Sequence, residues 1–166
     1  MPRPPAPLLT PQARAAWLNE AVARFEQPAF IDSDPIALPH LFTEKEDIEI
    51  AGLLAATLAW GRRATILAKG RQLLALMHWA PAAFIRHHTA QDRAALGRFG
   101  HRTFTGEDAI FFARALQHIY LRRGGLEAVA GAGMAAAPEP ARTDARPALT
   151  ALRQAFFECG GEAPRT

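Results

Sequence analysis

Apolar residues recur along this chain at helical spacing, and no stretch shows the strict alternation of a half-buried strand. Thr10 followed by Pro11 gives an N-cap and a first-turn signal. The helix they open carries Ala13, Ala16, Trp17, Ala21 and Phe25 on one face, with Arg14, Asn19 and Glu20 turned outward. The next segment, QPAFIDSDPIALPHLF, holds Pro28, Pro35 and Pro39 and cannot continue as one helix. Its interspersed apolar residues predict an ordered, packed connection. Thr43-Glu44-Lys45-Glu46 reads as a capping box, and Glu44, Glu46, Asp47 and Glu49 put negative charge where the helix dipole favours it. From Ile48 to Trp60 the run IEIAGLLAATLAW is apolar on all sides apart from Glu49 and Thr57. That pattern predicts a central helix, about residues 44–60, covered all round and stopping at Gly61.

Past the basic corner Gly61-Arg62-Arg63, a second amphipathic helix places Ile66, Gly70, Leu73, Leu74 and Met77 on one stripe and Lys69, Arg71 and Gln72 toward water. Pro81 starts a short helix, PAAFIRHH, and Ala90 to Leu96 forms another. Thr105-Gly-Glu-Asp108 repeats the capping pattern before a strong helix with Ala109, Phe112, Leu116, Ile119 and Tyr120 on its apolar face. That helix ends at Gly124-Gly125.

The fold class is therefore all-α: an irregular orthogonal helical bundle around the central apolar helix, without significant sheet. Residues 1–10 are a Pro-rich flexible arm, and 11–128 form the helical domain. Residues 129–143, rich in Ala, Gly and Pro, read as a loop. Asp144 caps a terminal helix over 144–160 with Leu149, Leu152 and Phe156 along it.

Composition supports helix: 36 of the 166 residues are alanine and one is tyrosine. Arg outnumbers Lys 17 to 2, with a net charge of +3, which permits a polyanion partner without demanding one. The single cysteine, Cys159, excludes an internal disulfide and a multi-thiolate metal centre, and no cationic neighbour activates it as a nucleophile. No segment has the length of apolar sequence that spans a membrane, and the N-terminus lacks a signal-peptide core. The expectation is a cytoplasmic protein without membrane contact.

Three clusters could carry chemistry. Asp32, Asp34 and His40, with Glu44, Glu46 and Asp47 behind them, could form a metal or acid–base site. The stronger reading is a turn before Pro35 followed by acids at a helix start. His87-His88 and His101-Arg102 lack the i, i+4 spacing of a helical metal pair, and adjacent helical residues point about 100° apart. They are read as structural, with Phe104 an apolar staple ahead of Thr105. At the Trp60-Gly61-Arg62-Arg63 corner, an indole can stack on a base and guanidiniums can hold phosphate. Lys69 and Arg71 lie nearby. Opposed to this is a buried Trp60 with Arg62 and Arg63 solvated at a helix end. Walker, dinucleotide-binding, HExxH, GxSxG and paired CxxC motifs do not occur. No metal, cofactor or catalytic residue is assigned.

Taken in order, Asp34–Ile36, Pro39–Phe42, Lys45–Gly61 and His101–Phe104 resemble an uncharacterised bacterial family of conserved hypothetical proteins, a domain of unknown function. The resemblance covers about residues 25–125 and is most specific in the KEDIEIA…ATLAWG block. It extends to the last helix, with Phe156-Phe157 and the terminal Pro-Arg-Thr. Family members continue into a basic segment and a Pro-Leu-Asp-Val-His motif, so this chain resembles the N-terminal portion of a longer, truncated protein. More distantly, the family is similar to helix-hairpin-helix DNA glycosylases, in which a corner between an apolar and an amphipathic helix lines a base pocket. The resemblance places Trp60, Gly61 and Arg62 on that wall, without the glycosylase catalytic acid. The functional expectation is a nucleic-acid-binding helical domain, the chain alone not being catalytic, with Trp60, Gly61, Arg62, Arg63 and Lys69 as contacts. The alternative is a structural or partner-binding helical module without nucleic-acid contact. An exposed apolar patch near Leu53–Leu58 or on the last helix, and self-association that covers it, are expected of a partial domain.

Overall fold

A computed structural model describes residues 10–138 and 144–158. The arm expected over 1–10, apart from Thr10, and Cys159 lie outside the described residues. The described elements are α1 (Pro11–Phe25), α2 (Pro28–Ser33), two 3-10 turns (Pro35–Ala37 and Pro39–Leu41), α3 (Lys45–Leu58), α4 (Arg63–Leu76), α5 (Pro81–His87), α6 (Ala90–Leu96), α7 (Gly106–Arg122), α8 (Leu126–Ala136) and α9 (Arg146–Phe157). Among the described residues the sole β feature is an isolated bridge between His101 and Phe104. The protein is an all-α helical bundle. No described helix is long and apolar enough to cross a membrane.

The main core joins α3 through α9: Leu54, Leu58, Leu73, Leu96, Leu116, Ile119 and Phe156 are all buried in it. A second, smaller cluster ties the Pro-rich connection to the bundle. Leu38 is buried there with Ala51, Ala55, Leu67 and Leu74. Gly70 permits this, because a Cβ at its position would lie 2.1 Å from a Leu38 methyl group. The proline-rich segment is thus the ordered connection that its apolar residues predict. Between α6 and α7 the approach is as close: a Cβ on Gly106 would stand 2.1 Å from the Gly97 carbonyl oxygen.

The helix starts divide into two kinds. Thr105 and Asp108 form the expected capping box on α7, and Thr89 with Asp92 forms another on α6. The box expected at Thr43–Glu46 does not form. Glu44 is the N-cap of α3 and makes no side-chain cap bond, because the neighbouring acids serve other helices. Asp47 accepts a 2.7 Å hydrogen bond from the Ala82 N–H at the start of α5. Glu46 pairs with Arg86 of α5, and Lys45 with Glu127 of α8.

Three further expectations are corrected. The loop expected over 129–143 is helical as far as Ala136, as part of α8. Small residues read as a loop because they lack a periodic apolar face. Here they let two helices touch: a Cβ on Gly133 would lie 2.6 Å from both Ala151 and the Pro147 carbonyl of α9. The central helix ends at Leu58 instead of reaching Trp60. Nor is it covered on every side: Ile48, Ala56 and Ala59 are exposed along one face. Hydropathy does not distinguish small apolar residues in a core from small apolar residues that floor a groove. No residue of α1 is buried either, so among the described residues its apolar face is left largely exposed.

Candidate functional site

The corner between α3 and α4 begins where Ala59 caps α3 and the Trp60 N–H donates to the Leu58 carbonyl at 2.8 Å. Gly61 then turns the chain with φ +124°, and Arg62 is the N-cap of α4. This sharp reversal projects the indole outward, leaving Trp60 46% exposed. The opposing wall comes from the connection between α6 and α7. His101 and Phe104 exchange backbone hydrogen bonds of 2.8 and 2.9 Å, closing a tight turn around Arg102 and Thr103. Arg102 takes a left-handed φ of 55°, unusual for a residue with a side chain. Its guanidinium lies 5.3 Å from the Trp60 ring centroid, within cation–π range. A Cβ on Gly61 would come within 2.7 Å of two guanidinium nitrogens, so the glycine serves both the turn and the close approach.

The expected contact residues do not all meet at this point. Arg63 turns the other way, toward Asp34 at 3.8 Å and over the Phe30 ring at 5.3 Å. Lys69 lies further along α4, bonded to the Gln72 side chain at 3.0 Å and set over Phe99 at 5.6 Å. Arg62 is exposed and has no ionic or cation–π partner among the described residues. The structure thus brings Trp60 and Gly61 together with Arg102, leaves Arg62 free beside them, and commits Arg63 and Lys69 elsewhere. Sequence reasoning missed Arg102. The HRTF block marks its neighbourhood, but nothing in an arginine announces a left-handed backbone.

Beside the corner runs an open groove of about 690 Å³ along the outer face of α3. Its floor is small and apolar, with Gly52, Ala55, Ala56 and Ala59, and Pro35, Ile36, Pro39 and Ile48 form its sides. Gly61 and Arg63 stand at the corner end, and Asp34 and Glu49 supply carboxylates to the lining. The exposed apolar patch expected near Leu53–Leu58 does not form there, because Leu54, Ala55 and Leu58 are buried; what α3 exposes is the side of the groove at Ile48, Ala56 and Ala59. Leu149 and Phe157 are also exposed on the last helix.

Two acids ahead of the corner have structural partners. Asp34 accepts from the Ile36 N–H at 3.1 Å and so caps the first 3-10 turn. Glu49 accepts from the Tyr120 hydroxyl at 2.7 Å, and with burial this holds the phenol well above its ordinary pKa. Among the described residues no three His, Cys, Asp or Glu side chains are arranged to hold a metal ion.

A family model described as "Protein of unknown function (DUF2400)" matches residues 34–166. The chain belongs to this family. The matched stretch takes in the corner, the groove and the HRTF turn, and leaves α1 and α2 outside. No curated protein and no solved structure matches the chain significantly.

Two histidines of the family region are buried and differ in their partners. His88 has both ring nitrogens engaged: Arg93 donates to Nδ1 at 3.0 Å, and Nε2 faces the Ala113 carbonyl at 3.4 Å. Burial holds its pKa below the ordinary value; the Ala113 carbonyl opposes that shift and the Arg93 charge adds to it. His101, next to Arg102, is 4% exposed and its Nε2 has no hydrogen-bond partner. A buried unpaired nitrogen costs about 1–3 kcal/mol. The family region carries that cost at the base of the turn that holds Arg102 over Trp60.

Proposed function

We propose that this domain binds nucleic acid through an unpaired base at the α3–α4 corner. The base stacks on Trp60, and the adjoining phosphate lies on Arg102 and Arg62. One observation carries the reading: a half-exposed indole with a guanidinium 5.3 Å from its ring centroid, beside an open groove. A base covering an aromatic ring contributes about 1–3 kcal/mol, and arginine holds phosphate through paired hydrogen bonds. Gly61 lets the guanidinium approach the ring. Arg63 and Lys69 act at longer range, as positive potential along α4. The sequence resemblance to helix-hairpin-helix glycosylases, which the comparisons with curated proteins and solved structures do not show, implies the same kind of contact, a base drawn out of its stack against a helical corner. The reading is one of binding and assigns no bond cleavage. A second reading, a partner-binding helical module without nucleic-acid contact, is favoured by the apolar lining of the groove and by the engagement of Arg63 with Asp34.

The test uses a labelled single-stranded oligonucleotide and a damaged duplex, titrated at low ionic strength and followed by anisotropy. Binding that weakens steeply with salt is expected. Trp60→Ala and Arg102→Ala each reduce affinity about tenfold, the equivalent of about 1.4 kcal/mol. In a Trp17→Phe, Trp79→Phe background, emission from Trp60 is quenched on binding. No salt-sensitive binding to either ligand overturns the proposal and leaves the helical module.

A further inference from the structure

The chain carries an exposed apolar helix face and an open apolar groove, and the two are complementary. On α1, Trp17, Leu18, Val22 and Phe25 are exposed to between 48% and 60%. At 3.6 residues per turn these four lie on one side of the helix, with Arg14 extending the stripe at its N-terminal end and Arg24 on its flank. The groove has the opposite relief, with glycine and alanine on its floor where α1 has large side chains. The lengths agree as well. From Arg14 to Phe25, and from Ile48 to Ala59, each helix advances about 16 Å. Charge agrees in one orientation. With α1 antiparallel to α3, Arg14 comes to Asp34 at the corner end and Arg24 to Glu49 at the other. Each carboxylate already has two partners, Asp34 the Ile36 N–H and Arg63, Glu49 the Tyr120 hydroxyl and Lys45, and a carboxylate has lone pairs for a further donor.

We propose that α1 of one chain docks in the α3 groove of a second copy, and that the exchange is reciprocal. A stable dimer interface buries about 1,600 Å² in total, and the exposed apolar face of one α1 with the groove it covers supplies only part of that. Reciprocity is therefore part of the proposal. The inference does not use the Trp60–Arg102 contact, although the groove ends at the same corner beside Gly61 and Arg63.

Sedimentation of the full chain tests it. The wild type is expected to be a dimer across the micromolar range. Val22→Asp on the helix and Ala56→Asp on the groove floor each weaken association about tenfold or more. Both positions are exposed in the single chain, so far-UV dichroism and the monomer's melting temperature remain unchanged. A trap gives the geometry. In a Cys159→Ser background, one chain carrying Leu18→Cys is mixed with another carrying Ala56→Cys and oxidised. The expected product is the mixed disulfide dimer, since the antiparallel register puts these positions opposite each other. A chain that stays monomeric overturns the proposal, as does a dimer indifferent to both aspartate variants. With both cysteines in one chain, rapid closure within that chain at high dilution also overturns it, because α1 then occupies its own groove.

Discussion

The first turns of α3 and the length of α1 both look functional in sequence, one for its acids and the other for its aromatics, yet the fold treats them oppositely. Around the start of α3, Asp47 holds the N-terminus of α5, Glu46 pairs with Arg86, and Glu49 receives the Tyr120 hydroxyl from α7. Each charged group is matched to a partner far along the chain, and helices that are not neighbours in sequence are fixed by the match. Along α1, Trp17, Leu18, Val22 and Phe25 are equally regular and none is buried; the ring contacts of this face are Phe25 edge-on to Phe30 and Arg24 over Phe25. Polar residues that look reactive can be wholly structural, whereas apolar residues that look structural can be left outside the fold. Conspicuous residue type is therefore a poor guide to which part of a chain is available for contact.

The contrast can be broken most sharply by truncating one apolar side chain on each side of it. Leu116→Ala in the core of α7, where the leucine is fully buried, is expected to cost about 2–5 kcal/mol in urea unfolding. Val22→Ala on α1 stays within about 0.5 kcal/mol when measured on the monomer. A large loss at Val22 in dilute solution would show that α1 packs on its own domain. A smaller effect sharpens the polar half. Asp47→Ala leaves the Ala82 N–H without its acceptor and is expected to cost about 1–2 kcal/mol. Asp47→Asn, which retains an acceptor oxygen, recovers part of the loss.

The smallest effect is a pH slope from His88. Its folded-state pKa lies below the ordinary 6.5, because burial disfavours the charged ring. Above that ordinary value both folded and unfolded chains hold it neutral. As the pH falls through 6.5 the unfolded chain takes up a proton that the folded chain resists, so stability declines until the folded pKa is passed. The urea midpoint of the wild type should fall between pH 7 and pH 5, and His88→Gln should flatten that fall. An unchanged slope in the variant would place the dependence on another histidine.

Much of this architecture is legible in the residues. Thr105 and Asp108 announce α7, the stripe from Ile66 to Met77 is buried as spaced, and the prolines at 28, 35 and 39 break the connection where they stand. What was not legible depends on partners distant in sequence. The helix over Leu126–Ala136 is hidden because its glycines and alanines acquire meaning from α9 against them. Glu46 and Asp47 read as dipole complements because Arg86 and Ala82 cannot be placed beside them from sequence. The candidate site divides in the same way. Trp60 and Gly61 can be picked out as a corner, while the guanidinium above them arrives from a turn some forty residues later.

The pairing of α8 with α9 has a consequence for motion. Leu126 and Val129 at the start of α8, and Ala155 and Phe156 at the end of α9, are the buried residues of the hairpin. Both anchors lie at the same end, and among the described residues none is buried in the distal turns around Ala136 and Arg146. Amide protection should therefore grade smoothly down both helices in step, strongest beside the core and weakest at the tip, as in a clasp fastened at one end.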